Sequence, residues 1–116
     1  MYNSKIIGLG YFVPENIVTN NDLFKFMETS DEWIQERTGI KERRILKGKG
    51  LGSSFLAINA AKDLIDKKNI DPKTIDLVII ATATPDMQGA STASYTATQI
   101  GATNAFAFDM DAACSS

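Results

Sequence analysis

The only cysteine of the chain, Cys114, sits in the stretch Asp109-Met110-Asp111-Ala112-Ala113-Cys114-Ser115-Ser116. A thiolate held at the end of a strand can attack a thioester carbonyl and carry the acyl group. Ala112, Ala113, Ser115 and Ser116 let backbone segments approach closely, as a tight strand-to-helix turn requires if it is to push one side chain into a cavity. A helix starting directly after Cys114 would aim its free N–H groups and dipole at the sulfur. That favours the thiolate and supplies donors for the oxyanion formed on attack. The rival reading is a small buried hydrophobe. The sequence contains no histidine, so a cysteine–histidine dyad cannot be assembled from these residues alone. Either the partners lie on sequence beyond this chain, or the cysteine is inert. A natural terminus seldom falls at the first turn of a helix, so the chain is expected to be an N-terminal portion of a longer polypeptide.

A second constellation is Thr29, Trp33 and Arg37. Spacings of four put all three on one helix face, one turn apart. A flat aromatic can stack on a purine, an arginine one turn away can grip phosphate, and a hydroxyl can complete a small nucleotide site. The competing reading is half-buried packing of an amphipathic helix. Lys41, Arg43, Arg44, Lys47 and Lys49 follow, a run that is either a solvated face or a surface for phosphate or an acidic partner.

These residues need a scaffold, and the patterning supplies one. Lys5–Leu9 reads as a strand, followed by an extended segment at Pro14. "GLGYFV" begins like a dinucleotide fingerprint, but the third glycine and the following helix are missing. Asn20 or Asn21 caps a short helix in "DLFKFME". Thr29-Ser30-Asp31-Glu32 resembles a capping box for a helix through Arg37, which Gly39 ends. "IKERRILKGKGLG" suggests a strand or hairpin arm running into a loop. From Ser53 or Ser54 to Lys68, Ala57, Ala60, Ala61, Leu64 and Ile65 recur at helical spacing. "IDLVIIATAT" predicts a strand covered on both faces in a parallel or mixed sheet. Ser91 then caps a small-residue helix that stops at Gly101, and "NAFAFDMDAAC" reads as a last strand. The order is that of a layered α/β protein.

The totals fit an ordered domain of 116 residues, 44% hydrophobic and 22% charged, with a formal charge of −2. That balance gives no global attraction to nucleic acid. A lone cysteine makes no internal disulfide, no cluster of metal ligands stands out, and there is neither a secretory leader nor the run of about 20 apolar residues a membrane span needs. The expected compartment is the cytoplasm.

Three stretches, "TSDEWIQERTGIKERR" (29–44), "DLVIIATATPD" (76–86) and "AFDMDAACSS" (107–116), closely resemble β-ketoacyl-acyl carrier protein synthase III, of the thiolase-fold condensing enzymes. The resemblance implies a layered α-β-α-β-α fold of two α/β halves, with residues 1–116 an incomplete first half. It makes Cys114 the nucleophile that takes an acyl group from acyl-coenzyme A. Trp33 and Arg37 correspond to residues that sandwich the adenine, and Thr29 to a hydrogen-bonding neighbour. It further implies a decarboxylative condensation with malonyl-acyl carrier protein that initiates fatty-acid synthesis, a homodimer, and no cofactor besides the acyl-coenzyme A substrate. The catalytic histidine and asparagine would come from the second half, so these 116 residues alone would be inactive. One departure stands out: Met87-Gln88-Gly89-Ala90 replaces an aromatic and a proline on a loop that closes the partner subunit's acyl pocket, so acetyl preference does not follow. The alternatives are a condensing enzyme of hydroxymethylglutaryl-coenzyme A synthase or secondary-metabolite type, and a non-catalytic binding module.

Overall fold

A computed structural model describes residues 3–115. It divides into two compact units: Val13–Gly50, and the residues up to Phe12 together with those from Leu51 onward.

In the Val13–Gly50 unit, β1 (Ile17–Thr19) pairs antiparallel with β2 (Glu42–Arg44). Between them lie α1 (Asn20–Leu23) and α2 (Asp31–Thr38). Strand β1 has no counterpart in the sequence expectations, being too short to show a period. The helix expected over "DLFKFME" is also corrected. Its cap is Thr19, whose backbone N–H donates to Asp22 Oδ2 at 2.9 Å while its hydroxyl accepts from the Asp22 N–H at 3.3 Å. This capping box makes Asp22 the third helical residue, and the helix ends at Leu23, whose carbonyl accepts from both Phe26 and Met27. Ser30, not Thr29, caps α2 by accepting from the Trp33 N–H at 3.0 Å, and Gly39 ends it in the left-handed conformation, φ 71°.

The other unit places α3 (Ser53–Lys68) and α4 (Thr92–Ile100) against one face of a parallel pair, β3 (Leu77–Ala81) and β4 (Phe106–Met110). Ala97, Ile100 and Ala102 form the buried centre, with Ile58, Ala61 and Ile65 of α3, Val78 of β3 and Ala107 of β4 packed on it. Two-residue alternation sends Leu77, Ile79, Phe106 and Phe108 to the other face, where they are 47%, 44%, 71% and 39% exposed. β3 is therefore covered on one face among the described residues, not on two, because both helices lie on the same side.

Lys5–Leu9 forms no strand. The segment lies along α3 instead: a side chain at Gly10 would collide with the Ala60 carbonyl, and one at Gly8 would come within 2.7 Å of the Leu64 side chain. Glycine is what permits this approach. Just beyond, the Tyr11 N–H donates to Asp63 Oδ2 at 3.0 Å, Lys67 Nζ lies 2.6 Å from the same oxygen and 4.6 Å from the centre of the Tyr11 ring, and Phe12 meets Phe55 edge-on at 5.6 Å.

The bond from Lys67, followed by that from the Tyr11 N–H, holds the Asp63 carboxyl below its usual range. A depressed folded-state pKa gives stability that is present above the unfolded value, 3.8, and lost as pH falls through the lower folded value. Acidification below that value should therefore loosen Tyr11 from α3. The Tyr11 amide shift in an NMR titration should follow this protonation, and Asp63→Asn should abolish the response.

Candidate functional site

Helix α2 builds the first candidate. Its one buried apolar side chain, Ile34, turns one face inward. Trp33 stays half-exposed at 52%, and the Arg37 guanidinium carbon lies 4.8 Å from its ring centre. The four-residue spacing thus does stack the cation on the indole. Thr29, Glu28, Ser30 and Trp33 line an open recess of about 250 Å³. The Thr29 hydroxyl is buried there with no hydrogen-bond partner. A buried hydroxyl without a partner is costly, so the recess offers a donor and acceptor ready for a guest. Glu28 was absent from the sequence expectations. Its carboxylate would repel phosphate, which makes the recess better suited to a ring or ribose than to an anion.

The orientation of α2 rests on Asn20, 1% exposed. Its Nδ2 donates to Asp31 Oδ1 and to the Ile40 carbonyl, each at 2.7 Å, and its Oδ1 accepts from Arg43 Nη2 at 2.6 Å. Asp31 Oδ2 in turn accepts from Gln35 at 2.6 Å. Arg43 is thereby withdrawn from the basic run: it is a structural donor, also reaching the Val18 carbonyl at 3.3 Å. Lys41, Arg44, Lys47 and Lys49 are exposed, and Arg44 is engaged with the Pro14 carbonyl and Glu42.

The second candidate, Cys114, belongs to the other unit. Strand β4 is pinned at its end by the Thr82 N–H donating to the Met110 carbonyl at 3.0 Å. The chain then bends through Ala113, whose φ of 48° is unusual for a side-chain-bearing residue. A single 3₁₀ turn, Ala113–Ser115, follows, closed by the Ser115 N–H on the Ala112 carbonyl at 2.9 Å. Cys114 stands exposed on that turn. The tight bend is present, and among the described residues nothing covers the sulfur. Ser116, the last of the expected small neighbours, lies outside the described residues, as does any longer helix after the cysteine.

The loop from Thr82 to Ser91 is held by carboxylate chemistry that no local pattern announced. Gly52, not Ser53 or Ser54, precedes α3 and offers no side-chain cap. Instead Asp86 accepts from the Ser54 N–H at 2.9 Å and from the Ser54 hydroxyl. A side chain at residue 52 would come within 2.6 Å of Asp86 Oδ1, so glycine there makes room for the carboxylate. In the loop, Gly89 has φ 81° with open space around it, and Met87 is 64% exposed. A bulky side chain at this position would be strained in that backbone. Among the described residues no cluster of three or more potential metal ligands occurs, and no helix is long and apolar enough to cross a membrane.

No family model matches the chain. Curated relatives do. It is 53% identical over 112 residues to a β-ketoacyl-[acyl-carrier-protein] synthase III of Porphyromonas gingivalis, covering 97% of this chain and 33% of that protein. It is likewise 53% identical over 114 residues to the synthase III of Clostridium novyi, covering 98% and 35%. The chain therefore spans about a third of the length of the curated relatives it matches. Among solved structures, 3-oxoacyl-[acyl-carrier-protein] synthase III from Aquifex aeolicus is similar with a TM-score of 0.86 and 45% identity over 95% of this chain and 35% of that one. The priming β-ketosynthase of the R1128 polyketide pathway follows at 0.85 and 30%, over 93% and 32%. The α/β fold is that of the matching third of these thiolase-fold condensing enzymes.

Asn20 carries three bonds, two of them to charged groups, so Asn20→Ala should cost about 2–4 kcal/mol by stranding Asp31 and Arg43. Urea unfolding followed by fluorescence of Trp33, the only tryptophan, should show a lower midpoint and an altered native emission.

Proposed function

We infer from the homology of this chain to one third of β-ketoacyl-[acyl-carrier-protein] synthase III that it carries the nucleophile and the coenzyme A contacts of an acyltransferase of that kind. The observation that carries this reading is the exposed Cys114 sulfur on a sharp turn at the end of β4. In the first step the Cys114 thiolate attacks the carbonyl carbon of acyl-coenzyme A. The tetrahedral oxyanion collapses, and the coenzyme A thiolate leaves. In the second, malonyl-acyl carrier protein loses carbon dioxide, and the resulting carbanion attacks the acyl-cysteine thioester, releasing the Cys114 thiolate and the β-ketoacyl product.

The stacked Trp33 and Arg37, with the unpartnered Thr29 hydroxyl beside them, are suited to an adenine. Residues 1–116 act as an incomplete first half, and the histidine and asparagine that promote decarboxylation and hold the oxyanion come from further sequence. The apolar face of Leu77, Ile79, Phe106 and Phe108 supports that division, since it needs cover that α3 and α4 do not provide. The partners are acyl-coenzyme A and acyl carrier protein, the whole protein is a cytoplasmic homodimer, and no further cofactor takes part.

A second reading, a priming ketosynthase of secondary metabolism, is favoured by the likeness to the R1128 enzyme and by the glycine-bearing loop, which suits longer or branched primers.

Incubating the full-length protein with radiolabelled acyl-coenzymes A of increasing chain length should label Cys114, and Cys114→Ser should remove the label. An unlabelled cysteine with every primer refutes both readings, and the labelled primers show which acyl group the pocket takes. Trp33→Ala should raise KM for acyl-coenzyme A about tenfold with little change in kcat, as loss of one stacked base contact implies.

A further inference from the structure

The Asp109 carboxylate sits on the face of β4 opposite Phe106 and Phe108, the face on which Ala107 packs into the core. A carboxylate turned toward a helix layer is unfavourable unless it is fully bonded. Here both oxygens are: Oδ2 accepts from the Thr92 N–H and Oδ1 from the Ala93 N–H, each at 2.7 Å. Those are the first two N–H groups of α4, which no residue of the helix can satisfy, and the dipole adds to their pull on an anion. The third is met separately by the Ser91 hydroxyl, at 3.1 Å from the Ser94 nitrogen. Ser91 thus gives α4 an ordinary local cap. Asp109 does something different, because it joins the end of a strand to the start of a helix 17 residues earlier.

The junction lies five residues before the sulfur. The Met110 carbonyl is held by Thr82, the chain bends at Ala113, and Cys114 follows. Thr92 also links the junction to the loop before α4, since its hydroxyl accepts from the Asp86 N–H at 3.3 Å while the Asp86 side chain holds Ser54. The hydrophobic cluster at Ala97, Ile100 and Ala102 lies toward and just past the far end of α4, while Ala93, whose N–H the carboxylate holds, is fully buried. We propose that Asp109 is a positioning residue, locking β4 onto the start of α4 so that the turn after it presents the Cys114 sulfur in one orientation. This rests on Cys114 being the acyl acceptor.

An asparagine at 109 accepts one of the two N–H bonds and turns its own N–H₂ on the other, so Asp109→Asn should keep the fold while releasing the strand end. In the full-length protein, Asp109→Asn should slow single-turnover acylation of Cys114 about tenfold or more, with KM for acyl-coenzyme A changed by less than about twofold. Ser91→Ala, which weakens the same helix start without touching β4, is the control: it should lower the melting temperature and leave the acylation rate at the wild-type value. If Asp109→Asn does not fold, Asp109→Glu, which keeps the charge at a different reach, is read in the same way. Equal rate losses in proportion to lost stability in the two variants, or a wild-type rate in Asp109→Asn, overturn the proposal. If the wild type itself takes no acyl group, the proposed function fails and positioning is read from alkylation of Cys114 by iodoacetamide at fixed pH. A change of about threefold or more confined to the Asp109 variant sustains it, and identical alkylation rates overturn it.

Discussion

The first N–H groups of a helix have no partner inside it, and in the unit of β3 and β4 this requirement is met from a distance. Asp86 reaches back to the start of α3 and Asp109 to the start of α4. Each carboxylate gains from the helix dipole and from charge-assisted bonds, and each ties a connection to a helix that the hydrophobic core alone would hold only loosely there. The core is small, built on alanines and one isoleucine of α4 and the residues just after it, so these polar ties do much to hold the loop and strand ends to the helix starts. Gly52 follows from the same requirement, because a side chain there would occupy the position of the Asp86 carboxylate.

The Val13–Gly50 unit solves its own problem with one amide. It has two three-residue strands and two short helices, too little apolar surface for a core of its own kind. Asn20 joins α1 to Asp31 of α2, to the Ile40 carbonyl and to Arg43 of β2. A buried amide with donors and acceptors all engaged specifies one arrangement, where a hydrocarbon would tolerate several. The Trp33–Arg37 stack inherits its orientation from that arrangement.

Much of this was legible in the residues. The helix α3, its small-residue face, the Ser91 cap, the Gly39 and Gly101 stops and the final strand follow from period and capping chemistry, and Trp33 and Arg37 meet as their spacing demands. The small residues around Cys114 announced a tight bend, and the bend is there. Other features carry no local signal. The Asp86 and Asp109 caps join residues 32 and 17 positions apart, so no window of sequence contains both partners. Lys5–Leu9 has the composition of a strand, and only Gly8 and the adjoining Gly10 hint at close backbone contact instead. Arg43 looked like one of five solvated cations until Asn20, 23 residues away, claimed it.

The parallel pairing of β3 with β4 has a kinetic side. Leu77 meets Phe106 only after an entire helix has been laid between them, and parallel ladders of this kind form slowly because the loop must close before any bond rewards it. During synthesis the apolar β3 emerges first and waits without a neighbour. The interval before α4 and β4 arrive is when this chain is most exposed to the wrong pairing, and therefore when chaperone capture would matter most.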